Sequence, residues 1–221
     1  SLSGGLVNAG VPLSLLPQAI GWYGKLPSRG DFLGRGLPRP WVRVWDEWLQ
    51  RAMAGASRQV DAALLRERLL AMSPWHVVVL PTAEDQPLWS GTVVATTDRV
   101  GRVFPMLLAE AYAEAGIESA DLAGLHERAA QLGRWLSASA TALSPREFEL
   151  GVAQWGAQAW SATALGAEAA EPESLAALRC SRPAARSFWW RLDGTMHEVG
   201  VLDEPWPPRE SLLLEWLAVS D

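Results

Sequence analysis

A glycine followed by lysine after a strand is how a phosphate-cradling loop ends, so Gly24 and Lys25 open the search for chemistry. The rest of that loop is missing: its first glycine position holds Ala19 and its hydroxyl position holds Leu26, and the phosphate-binding reading is rejected. Gly30, Gly34 and Gly36 do not have the spacing of a dinucleotide fingerprint and are read as glycines of a turning loop. His76, His126 and His197 are widely separated, form no HExxH pair, and have only Cys180 as a soft companion, so no metal site is expected. No Gly-x-Ser-x-Gly elbow is present. A hydrolase assembled by folding from Asp31, His76 and Asp98 is the enzyme alternative, and it requires these distant side chains to meet in one pocket. Arg29, Gly30 and Asp31 spell a cell-adhesion tripeptide, read here as coincidence.

What remains is charge in places where packing does not demand it. Arg29, Asp31 and Arg35 crowd one loop, and Asp98, Arg99 and Arg102 crowd a second. The second group serves either as an ion pair that fixes a glycine-containing turn or as an exposed recognition tip. Together the six residues are the candidate partner-binding surface of a non-catalytic module with no cofactor and no metal.

The elements that must hold these loops are legible in outline. Ile20 to Leu26 reads as a strand, and 27–38 as a Gly- and Pro-rich loop. Trp41, Val44, Trp45, Trp48, Leu49, Ala52 and Met53 recur at helical spacing, with a break expected at Gly55 and Ser57 before the apolar pattern resumes to Met72. Trp75 to Leu80, Leu88 to Thr96 and Val103 to Leu108 read as strands, the last two closing a central hairpin over Asp98 to Gly101. Leu122, Leu125, Ala129, Leu132 and Leu136 form one helical stripe, and Ser144, Pro145 and Glu147 start another helix with a capping box. Residues 157–170 carry no assignable pattern. Ser187 to Leu192 and Thr195 to Val201 read as a hairpin turning at Asp193 and Gly194, and Glu210 to Val219 as a last helix.

Composition bounds the rest. The chain has 221 residues, 49% of them hydrophobic and 20% charged, enough to bury a core without disulfide or metal. No apolar run reaches membrane-spanning length, and a single cysteine suits a reducing or indifferent compartment, so a cytoplasmic protein without membrane insertion is expected. Residues 1–19 are expected to be a flexible leader and 20–221 one domain. The net charge of -6 is uneven: residues 25–68 hold nine Lys and Arg against five Asp and Glu, whereas 103–175 hold three against ten. A nucleic-acid partner is not expected, because acidic residues interrupt the basic stretch and the whole chain is acidic. Thirteen Trp against two Tyr and four Phe is unusual. The helix positions of Trp41, Trp45 and Trp48 assign most of them to the core, leaving one of Trp189 and Trp190, with Trp206, for a partner.

Gly21, Trp22, Tyr23, Gly24, Lys25, Leu26, Pro27, Ser28, Arg29, Gly30, Asp31, Phe32 and Leu33, then Arg35, Leu37, Trp45, Asp46, Trp48 and Leu49, closely resemble the opening of the TagF (ImpM) family of bacterial type VI secretion accessory proteins. A second match, Trp89, Ser90, Gly91 and Thr92 followed by Asp98, Arg99, Val100, Gly101, Arg102, Phe104 and Pro105, resembles that family's Asp-Arg-Val-Gly-Arg hairpin. Ser187, Trp189 and Trp190 give a weaker third. The resemblance implies an α+β fold, a central, mainly antiparallel sheet flanked by helices, in keeping with the element order. It also implies a post-translational negative regulator of secretion that binds the forkhead-associated scaffold protein of the apparatus, from a family not known as enzymes.

Overall fold

The structure is a computed structural model that describes residues 11–164, 174–192 and 202–218. Its centre is a seven-stranded sheet in the order β3-β2-β6-β5-β4-β8-β9, in which every neighbouring pair is antiparallel. The strands are β2 (Ala19–Gly24), β3 (Leu33–Arg35), β4 (Trp75–Val79), β5 (Leu88–Thr97), β6 (Val103–Tyr112), β8 (Ser187–Arg191) and β9 (Leu202–Glu204). A separate two-stranded sheet pairs β1 (Val11–Leu15) with β7 (Trp160–Ala164). The helices are α1 (Arg39–Gln59), α2 (Ala62–Leu70), α3 (Glu114–Ile117), α4 (Leu122–Ala142), α5 (Pro145–Gly156), α6 (Leu175–Ser181) and α7 (Leu212–Leu217). The α+β class follows, with helices on both faces of the sheet.

Strand alternation divides the core. Trp75, Val77, Val79, Trp89, Val93, Leu107 and Trp189 point to one face, where α1, α2 and α7 cover them. The opposite face is closed near β4 and β8 by α3, α6 and the start of α4, and near β2 by the end of α4 and by α5. The tryptophans are mainly scaffold: the Trp45 ring lies 4.9 Å from Trp48, and the Trp189 ring 5.3 Å from Trp216. Trp189 and Trp190 do alternate across the sheet, yet both are buried, because each face has its own helical layer. The expectation that one of them is free for a partner is corrected; Trp206 is half-buried against Trp41.

Several element expectations shift for local reasons. Within the expected leader, 11–15 form β1, where Leu13 and Leu15 alternate inward against Ala162. Residues 1–10 lie outside the description. The α1 helix runs through Gly55 and Ser57, whose hydroxyl is satisfied by Met53 O at 2.9 Å, and stops where Asp61 caps α2 by accepting from the N–H groups of Ala63 and Leu64. A short strand, β3, interrupts the expected loop 27–38, and β6 continues past Leu108 to Tyr112. Gly36 permits the turn after β3: its φ is +83°, and a Cβ there would sit 2.1 Å from Ile20 O. The capping box at Ser144 and Glu147 is present as read. β8 and β9 pair, but the Asp193 and Gly194 turn and Thr195 to Val201 lie outside the described residues.

Candidate functional site

The two charged loops meet. Strand β2 ends at Gly24 and delivers Lys25 to the end of the sheet, beside the turn that joins β5 to β6. Lys25 is buried, and its ammonium lies 3.4 Å from Asp98 Oδ2. It also lies 4.0 Å from the centroid of the Phe104 ring and 4.7 Å from that of Phe32, so two aromatic faces and one carboxylate replace its water. Phe32 belongs to the first motif and Phe104 to the second, and their rings pack edge to face at 5.3 Å. The backbone adds two ties: Arg99 N–H donates to Arg29 O at 3.2 Å, and Thr96 Oγ1 donates to Lys25 O at 2.9 Å.

Asp98 carries the turn itself. Its Oδ1 accepts from Val100 N–H at 3.0 Å and Arg102 N–H at 2.9 Å, while Oδ2 accepts from Arg102 Nε at 2.7 Å. Burial opposes the charge on this carboxyl, but the Arg102 backbone and side-chain bonds and the Val100 N–H outweigh it, holding its pKa down at about 2. The contribution of that charge to stability is present above the ordinary carboxylate range and is lost only as pH falls toward 2. Gly101 completes the turn with a φ of +81°.

On the other side of the loop, Phe32 stacks on Tyr23 with ring planes 7° apart, and the Tyr23 hydroxyl donates to Asp46 on α1 at 2.8 Å. Burial, then the hydrogen bond to Asp46 and its charge, push that phenol well above its ordinary range, so it stays a donor. The sequence Trp-Tyr-Gly-Lys therefore joins sheet, helix and hairpin in four consecutive residues.

The six candidate residues now separate by role. Arg29, Asp31 and Arg99 are exposed on the corner, and neither arginine side chain has a hydrogen bond or ion pair among the described residues. Arg102 is 60% exposed at its side chain but gives its Nε to Asp98, and Asp98 itself is buried. Arg35 lies on β3 and pairs with Glu149 of α5 at 2.9 Å, which ties it to a helix. Sequence reasoning missed Arg66 of α2, whose Nε donates to Gly101 O at 3.4 Å and sets a further cation beside the hairpin tip. Lys25 was weighed as a phosphate ligand and named within the first family-like motif, but not as the partner of Asp98. Nothing local signals its pairing with Asp98, which lies 73 positions away between Thr97 and Arg99.

Asp31, His76 and Asp98 are not brought together. His76 is opposite Thr92 in the middle of β4 and β5, and Asp98 lies six residues further along, about 20 Å at strand rise. His76 is buried between Ser90 Oγ, at 3.1 Å, and the stacked Trp190 ring, with the His126 ring 5.6 Å away. Burial, and then the proximity of His126, hold its pKa well below the ordinary imidazole value. Native His76 therefore stays neutral where the unfolded chain binds a proton, and stability falls as pH drops below about 6.5, by up to ~1.4 kcal/mol per pH unit. Urea unfolding at pH 7.5 and 5.5 checks this: His76→Phe should lose about 1 kcal/mol less than the wild type over that interval, and equal losses contradict it. His197 lies outside the described residues.

A family model described as TagF N-terminal domain, type VI secretion system-associated, matches residues 21–158, a span that contains the whole corner. The crystal structure of PA0076 from Pseudomonas aeruginosa PAO1 is similar at 30% sequence identity with a TM-score of 0.66, covering 90% of this chain and 94% of that one. No curated protein matches the chain. Among the described residues, no helix is long and apolar enough to cross a membrane.

Proposed function

Because the chain belongs to the TagF N-terminal domain family of type VI secretion system-associated proteins, we propose that it is a non-catalytic, cytoplasmic negative regulator of secretion that binds the forkhead-associated scaffold protein of the apparatus. The observation that carries this reading is the meeting of the two family-like motifs at the Lys25 and Asp98 pair. A cation buried between two aromatic rings, in contact with one carboxylate, is a costly way to close a surface turn. It is intelligible when the turn must present neighbouring groups in one fixed arrangement, since holding a loop in its bound conformation lowers the entropy lost on association. Arg29, Asp31 and Arg99 are the groups so presented.

Binding is tested with purified proteins. Titrating the forkhead-associated scaffold with this chain in a calorimeter should give a saturable complex, and deleting the gene in a secreting strain should raise effector release. A scaffold that takes up none of the chain at tens of micromolar contradicts the reading, as does secretion unchanged by the deletion.

A further inference from the structure

Charge in this molecule is laid out along the β5–β6 hairpin. At its turn stand Arg29, Arg66, Arg99 and Arg102, with Val100 at the apex, 69% exposed. At its open end, the residues before β5 and after β6 supply Glu84 and Asp85, with Glu114 and Glu118 both paired to Arg179, around an open cleft of about 470 Å³. Strands of ten residues separate the two ends by roughly 33 Å, several screening lengths at physiological salt. The basic corner therefore keeps its own field although the whole chain carries -6.

We propose that the corner formed by Arg29, Arg66 and Arg99 binds an acidic segment of a partner protein, rich in Asp and Glu and carrying an apolar side chain that packs on Val100. This rests on the regulator reading above and names the chemistry that the partner presents. Three observations carry it. The Arg29 and Arg99 guanidiniums make no hydrogen bond or ion pair among the described residues, and their backbones are tied by the Arg99 N–H to Arg29 O bond. Arg66 commits only Nε to Gly101 O, leaving its terminal nitrogens for a carboxylate. Guanidinium forks match carboxylates two bonds at a time, which an arginine set held by a buried lock can do with little ordering cost. Asp31 is the one acidic side chain in the same loop, and it helps select a ligand whose carboxylates are spaced to avoid it.

The test uses the full chain and a fluorescent decapeptide of alternating Glu and Asp around a central Leu. Anisotropy should show binding that weakens as salt rises from 50 to 300 mM, in keeping with ~10 Å screening at 0.1 M. Arg29→Glu/Arg99→Glu should weaken it roughly tenfold or more, with circular dichroism and melting unchanged. The control Arg146→Glu/Arg186→Glu makes the same charge change at exposed positions on α5 and ahead of β8, and should leave the affinity within about twofold. No peptide binding by the wild type at 50 mM salt overturns the proposal. Equal losses in both double variants overturn it too, since they signify diffuse attraction. Tighter binding of single-stranded DNA or of anionic vesicles than of the peptide does the same. So does self-association abolished by Arg29→Glu/Arg99→Glu, which makes the acidic cleft of a second copy the occupant. A wild type that binds the scaffold but not the peptide overturns this inference alone; one that binds the peptide but not the scaffold overturns the regulator reading alone.

Discussion

Replacing Arg128 by Met is expected to lower the melting temperature by roughly 6–20 °C. Arg128 and Glu110 are both buried, joined by Nη2 to Oε1 at 2.6 Å and Nε to Oε2 at 3.1 Å. The Tyr112 hydroxyl also donates to Oε2 at 2.6 Å and accepts from Trp160 Nε1 at 2.8 Å, while the guanidinium lies 4.6 Å from the Trp155 ring centroid. One network thus ties β6, α4, α5 and β7. Burial, followed by the charge and hydrogen bond of Glu110, pushes the Tyr112 phenol far above its ordinary range, so it stays a donor at any physiological pH. Removing one partner of a buried pair leaves a bare charge and costs about 3–5 kcal/mol, and about 2–4 °C per kcal/mol applies to a chain of this size. Adding Glu110→Leu to Arg128→Met should recover much of the loss, because a buried pair and an apolar replacement of similar volume differ little in stability. A single variant that melts within 2 °C of the wild type contradicts this account.

The second large effect falls on binding. Asp98→Asn preserves shape but turns a carboxylate oxygen that accepts from Lys25 and Arg102 into an amide, either losing those contacts or setting donor against donor. Lys25 then sits between Phe32 and Phe104 without a counter-charge. The loop carrying Arg29 should detach from the hairpin tip, and affinity for the scaffold should fall at least tenfold although neither Lys25 nor Asp98 is exposed. Isothermal titration of the variant, folded by circular dichroism, checks it; affinity within twofold of the wild type counts against a preorganised corner. Lys25→Met, which removes the cation and keeps the turn's own bonds to Asp98, should have the milder effect.

Much of the scaffold was legible because it follows period. The Trp41, Trp45 and Trp48 stripe, the β-branched run before Leu80 and the Ser144 capping box each report a local rule, and each stands where the pattern placed it. What was missed depends on distance. β6 runs on through Ala109, Glu110, Ala111 and Tyr112, a stretch that looks helical until Glu110 and Tyr112 find Arg128 and Trp160. β1 has the alternation of a strand, but too little sequence to declare itself without β7. At the site, the charged loops were visible and their juxtaposition was not. Asp98, Arg99 and Arg102 were weighed both as a structural ion pair and as a recognition tip; Asp98 and Arg102 form the pair, and Arg99 stands exposed beside them. Arg66 could not have been found, since nothing on α2 signals that it meets a hairpin 35 positions away.

If the two motifs build one rigid corner, amide hydrogen exchange on the Asp98→Asn variant reads the coupling between them. Faster exchange is expected across residues 27–35, more than sixty positions from the substitution, with β4 and α4 protected as in the wild type. Faster exchange confined to residues 98–103, with the 27–35 segment unchanged, would contradict it.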